Sequence, residues 1–268
     1  MRNAEALKDF VGSGVSRREF AKRAMVGGVA VAGAVALAGL DTEVAAQELT
    51  DIDVLNFALN LEYLEAEFYT VALSGQRIEQ IGIGVAGVGQ AGATTGGGQV
   101  SLSPQTRRVT EHIALDEQQH VRFLRAALGR AAIAKPAINL EALGLGFRNE
   151  QEFLTLARAF EDLGMSAYAG AVTLISSRQI LMAAAQIGLT EAQHVGNVRF
   201  LVSAAGFAVP QVDTRDVPPL GSPAGRLYQV DGNGLSTART AAEVLAVAYA
   251  GGERSGGFFP NGANGTIR

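Results

Sequence analysis

An all-α fold built on a four-helix bundle is predicted from three features of the sequence: four long stretches with apolar residues every third or fourth position, start and stop residues suited to helices around them, and no sustained alternation of the kind strands require. A long glycine-rich loop and an irregular C-terminal extension complete the expected architecture. The chain of 268 residues, 48% hydrophobic and 18% charged, is large enough for one core plus appendages.

The N-terminal 46 residues read as a targeting segment. SRREFAK at 16–22 precedes AMVGGVAVAGAVALAGL at 24–40, an uncharged run of 17 residues, and VAAQ then suits cleavage after Ala46. Arg17 and Arg18, followed by Phe20 and Lys22, resemble a twin-arginine export signal, with Ala21 standing where leucine is more usual. The run is near the lower length limit for a membrane anchor, and its glycines suit a removable signal better. The expected location is periplasmic or secreted, with membrane contact only through this signal.

The first bundle helix starts at Asp51 after Thr50, and its stripe of Leu55, Ala58, Leu59, Glu62, Ala66 and Tyr69 includes an acid. Residues 82–98 contain eight glycines, a density that forfeits helix and strand stability, and read as a ligand-free surface loop. GIGVAG and GVGQAG match the dinucleotide-binding spacing there, but neither lies between a strand and a helix. A second helix begins at Ser103-Pro104 and runs to Gly129, a third follows Asn149, and a fourth spans roughly 176–205 before Gly206. The bundle therefore occupies 47–206, and 207–268 is an extension with a short helix after Thr240. Phe258 and Phe259 are expected to pack it onto the bundle.

Composition removes several function classes. The net charge is −4, without a basic cluster outside the N-terminus, which excludes the electrostatic footprint of nucleic-acid binding. With no cysteine, thiolate catalysis and sulfur-ligated metals are excluded. Any metal must be held by oxygen and imidazole.

Two of the three histidines stand three residues after a glutamate, in DEQQH (116–120) and TEAQH (190–194). On a helix, Glu117 and His120, and likewise Glu191 and His194, share one face. Four-helix carboxylate sites need that arrangement twice, plus one glutamate from each remaining helix. In the third helix Glu161 lies on the apolar stripe; in the first, Glu62 and Glu65 both have the right phase. An internal repeat separates these two. Aligning LEYLEAEFY (61–69) with FEDLGMSAY (160–168) superposes Glu62 on Glu161 and Tyr69 on Tyr168, whereas Glu65 falls on Gly164. Glu62 is thus the expected ligand and Glu65 a nearby alternate. Surface Glu–His pairs would contribute only tenths of a kcal/mol, about 0.2–0.5 each, and four glutamates on apolar stripes would repel one another without cations. His112 and Asp116, near His120 on the second helix, and Tyr69 and Tyr168 are candidates for contacts behind the ligands.

The order Glu, Glu-x-x-His, Glu, Glu-x-x-His resembles the ferritin-like superfamily of di-iron and di-manganese carboxylate proteins over about residues 50–206. LNFALNLEYLEAEFY at 55–69 and GGFFPNGANG at 256–265 are more narrowly similar to exported ferritin-like proteins related to plant desiccation-related proteins. The resemblance implies two iron or manganese ions held by Glu62, Glu117, His120, Glu161, Glu191 and His194. Reaction with a small oxidant, oxygen or peroxide, is the expected function, and non-enzymatic stress protection or metal binding the alternative. The loop and the tail disfavour a storage cage, and the sequence leaves the oligomeric state open.

Overall fold

The computed structural model describes residues 49–268 apart from 208, 210, 212, 214 and 222–224, so the targeting segment and its cleavage site lie outside the described residues. Five α-helices are present among them: α1 (Asp51–Ser74), α2 (Pro104–Leu128), α3 (Glu150–Ala171), α4 (Arg178–Ala205) and α5 (Ala241–Ala248). Each begins where a side-chain oxygen meets an orphan N–H of the first turn. Thr50 accepts from the Asp53 amide, Ser103 from Thr106, Asn149 from Glu152, Ser177 from Ile180 and Thr240 from Glu243. The fourth helix starts at Arg178 rather than 176, because Ser176 and Ser177 donate their backbone N–H groups to the Asp51 carboxylate.

Helix α1 packs against α2 and α3 against α4, and the two pairs meet through α1–α3 and α2–α4. Cross-links from Gln118 to Thr70, Arg125 to Tyr63 and Asn56 to the Ala131 carbonyl run in opposite sequence directions, which makes α1 and α2 antiparallel. Helices α1 and α3 do not turn one polar face to solvent as their periodicity suggests. They are buried on every side, almost without interruption over 54–72 and 153–168. Loop and tail cover the faces that would otherwise meet water, leaving α2 and α4 as the solvent-facing pair.

The glycine-rich stretch is a loop with most of its residues exposed, as expected, and short backbone pairings pin it to the segment after α2. Thr94–Thr95 pairs in parallel with Ile138–Asn139, and Val88 bridges to Ile133. A Cβ on Gly87 would lie 2.2 Å from the Ala132 carbonyl oxygen, and one on Gly92 would lie 2.2 Å from the Ala137 nitrogen. Glycine is needed at these two positions for close backbone approach. Buried Lys135 fastens the loop to α1, its Nζ donating at 2.6 Å to both Glu67 and Thr94.

Buried polar side chains fasten the tail to the bundle. Asn264 exchanges two hydrogen bonds of 2.9 Å with Asn60 of α1 and donates to the carbonyls of Gln90 and Ala134. Arg199 of α4 donates to Asp162 of α3 at 2.6 Å and to the carbonyls of Val217, Pro218, Arg226 and Leu227. Phe258 stacks edge-on against Phe160 at 4.8 Å, and both Phe258 and Phe259 are buried, as the sequence suggests.

Candidate metal centre

Each of the four long helices sends a glutamate inward at the same level. Glu62 from α1, Glu117 from α2, Glu161 from α3 and Glu191 from α4 are all 0% exposed, while His120 and His194 retain 9% and 4%. Two sets of ligand atoms result, each gathered within 4.8 Å: Glu62, Glu117, His120 and Glu191 in one, and Glu117, Glu161, Glu191 and His194 in the other. All six residues expected from the sequence come together, and Glu117 and Glu191 belong to both sets.

Both imidazoles present Nδ1 to the carboxylates. His120 Nδ1 lies 3.2 Å from Glu62, 3.3 Å from Glu191 and 3.4 Å from Glu117. His194 Nδ1 lies 2.9 Å from Glu117 and 3.4 Å from Glu161, and its Nε2 is 3.2 Å from Asp116 Oδ2. Asp116 thus serves the histidine of the opposite helix rather than those of its own. With the proton on Nε2 donated to Asp116, the Nδ1 lone pair is directed to the centre, an arrangement that typically orients metal-bound histidine.

The two tyrosines complete a reciprocal lock. Tyr69 of α1 donates to Glu161 Oε1 of α3, and Tyr168 of α3 donates to Glu62 Oε1 of α1, each at 2.5 Å. The internal repeat is therefore visible as geometry. Glu65 also reaches the centre, although it belongs to neither set. A Cβ on Gly164 would lie 2.7 Å from Glu65 Oε1 and 2.9 Å from Glu191 Oε2. The half-repeat without this glutamate carries glycine, and the carboxylate of the other half fills the space. His112 stands apart, exposed on α2 in a surface cleft it shares with Asp116 and His194.

Electrostatics mark the cluster as unbalanced when only protons compensate it. Burial, followed by repulsion from Glu191 and Glu117, pushes Glu65 well above the carboxylate range; burial and Glu117 do the same to Glu191. Burial raises Glu62 to about 7 despite attraction to His120. For Glu117 burial is outweighed by the two imidazoles close beside it, which hold it below the usual range. Burial opposes charge on His194, but Glu161 and Glu117 overcome it and push the imidazole up to about 12. Burial and the neighbouring glutamates raise both tyrosines, so each stays a hydrogen-bond donor.

Several of these atoms approach one another without the direction of a hydrogen bond. Both oxygens of Glu117, both of Glu191, Glu161 Oε2 and His194 Nδ1 are buried and lack hydrogen-bond partners within the protein. Buried polar atoms are nearly always satisfied, so six orphans converging on one region call for a ligand of their own. Oxygen and imidazole donors in that arrangement fit a metal site.

The sequence profile described as "Ferritin-like domain" matches residues 50–204. The chain is similar to "Ferritin-like catalase Nec2" of Nesocodon mauritianus, 23% identical over 266 residues covering 81% of this chain and 84% of that protein. It is also similar to "Desiccation-related protein PCC13-62" of Craterostigma plantagineum, 32% identical over 93 residues, which cover 35% of this chain and 28% of that one.

Proposed function

The chain belongs to the ferritin-like domain family, and from that premise we propose that it is an exported dinuclear metalloprotein of iron or manganese that disproportionates peroxide. The observation that carries this is the pair of overlapping ligand sets sharing Glu117 and Glu191. Glu62 and His120 would hold one ion and Glu161 and His194 the other, with Glu117 and Glu191 available to both. Four ionised glutamates balance two divalent cations with both histidines neutral, which resolves the charge conflict inside the bundle.

A redox-active pair of ions supplies and takes back the two electrons exchanged when two H2O2 become two H2O and one O2. The remaining work falls to the chain. Tyr69 and Tyr168 hold the terminal glutamates in orientation, and Asp116 fixes the His194 ring. The Phe68, Phe153 and Phe160 layer next to Tyr69 excludes water from the side of the centre facing α1 and α3. Glu65, pushed well up by burial and then by its acidic neighbours, holds a proton beside Glu191. The catalase named among the similar proteins, matched over most of both chains, supports peroxide as substrate. The motif around Arg17 and Arg18 supports export by the twin-arginine route, and mass spectrometry of the exported protein tests it by a first residue at Gln47.

An oxygen electrode tests the activity. Metal-loaded protein should release one O2 for every two peroxides consumed, at a rate proportional to bound metal. Loss of peroxide no faster than with free ions would refute catalysis and leave non-enzymatic stress protection or metal binding as the better reading.

A further inference from the structure

With the four glutamates 0% exposed, the two histidines are the ligands of the centre that still touch solvent, and they stand on α2 and α4. Between those helices lies a cleft of about 270 Å³ whose polar lining is His112, Asp116, Thr190, Gln193, His194 and Asn197. Its floor is the back of His194, whose Nε2 meets Asp116 at 3.2 Å while its Nδ1 faces the centre. Asp116 is half exposed and stands one helical turn after exposed His112, close enough for a carboxylate and an imidazole to address one solute. Neither lysine nor arginine lines the cleft. Gln193 and Asn197 donate to carbonyls of their own helix, at Leu189 and Gln193 respectively, and each has an amide oxygen to offer a solute.

We propose that this α2–α4 cleft is a capture site for divalent cations, in which His112 and Asp116 hold a hydrated ion before it passes His194 into the centre. The proposal rests on the dinuclear function assigned above. An anionic, oxygen- and imidazole-lined cleft selects for cations, and one of the centre's own ligands forms its floor. Asp116 and Thr190 occupy matching places before the two Glu-x-x-His motifs, and the cleft's carboxylate comes from the first alone.

Anaerobic stopped-flow mixing of metal-free protein with Co2+, followed by its visible absorption, tests the capture step through positions that are not ligands of the centre. Gln193 is exposed, so Gln193→Glu and Gln193→Lys change the charge at the cleft without disturbing packing. Clefts of one charge sign alter on-rates by at least about tenfold, so Gln193→Glu should load roughly tenfold faster than Gln193→Lys at low salt, with the ratio shrinking as salt rises. His112→Ala should load more slowly than the unsubstituted protein and reach the same final stoichiometry. The same two charges placed at Gln151, exposed on α3, should leave the rate unchanged. Equal rates for the two Gln193 variants, or equal effects at Gln151, would overturn the capture site while leaving the centre intact. Failure of the unsubstituted protein to bind Co2+ at equilibrium would overturn both.

Discussion

Tyr69→Phe and Tyr168→Phe should weaken metal binding as mirror images of each other. Each tyrosine donates at 2.5 Å to a glutamate on the facing helix, Tyr69 to Glu161 and Tyr168 to Glu62. Both side chains are buried, at 0% and 6% exposure, so solvent water does not readily replace the lost donor. Phenylalanine keeps the ring packing and removes only the hydroxyl. Losing a partner of a metal-binding carboxylate typically costs about 10–100-fold in affinity, or about 1.4–2.7 kcal/mol. That matches the roughly 1.5–3 kcal/mol of a hydrogen bond to a charged group. Glu161 belongs to the set with His194 and Glu62 to the set with His120, so each substitution should weaken one ion more than the other. Anaerobic Mn2+ titrations by calorimetry, run as double-mutant cycles with His194→Ala, separate the two. On the His194→Ala background Tyr168→Phe should weaken the surviving ion, and Tyr69→Phe should add little. Unchanged affinity in both single variants, or the reverse pattern in the cycle, would refute the reciprocal lock.

Gly164→Ala places a methyl group 2.7 Å from Glu65 and 2.9 Å from Glu191, so one carboxylate must move; thermal unfolding should show a loss of about 1–3 kcal/mol, and calorimetry weaker metal binding. Metal-free protein should also lose stability as pH rises. Glu62 is raised in the folded state from 4.5 to about 7, so its contribution is fully present below 4.5 and disappears through about 7. Melting temperature against pH should slope downward over that window in chelator-treated protein and flatten once metal is restored. Lys135→Met removes the cation from a buried pair, leaving Glu67 uncompensated at a cost of about 3–5 kcal/mol. Pairing it with Glu67→Leu should recover most of the loss in the same denaturation assay.

Much of the bundle, and the convergence of Glu62, Glu117, His120, Glu161, Glu191 and His194, was legible in the sequence because helix phase and an internal repeat are readable there. Thr50, Ser103, Asn149 and Thr240 mark helix starts through bonds to their own first turns. Glu117 and His120 share a face because they are three apart, and the repeat pairs Glu62 with Glu161. What escaped depends on contacts between distant segments. Nothing local to Lys135 indicates Glu67, 68 residues away, and nothing local to Arg199 indicates the carbonyls of 217–227. Asp162 adjoins Glu161 yet faces Arg158 and Arg199 under the tail, because one residue along a helix turns the side chain about 100°. The all-round burial of α1 and α3 was hidden for the same reason, since the loop and tail that cover them lie far away in sequence. Glu65 was legible as an alternate, and the glycine opposite it in the repeat proved to be what gives it room.

Native mass spectrometry of anaerobically loaded protein addresses the centre most directly. Two ions per chain should be found in the unsubstituted protein, one in Glu62→Ala, and none in Glu117→Ala, because Glu117 belongs to both ligand sets. Fewer than one ion per chain in the unsubstituted protein, or two retained by Glu117→Ala, would contradict the dinuclear centre.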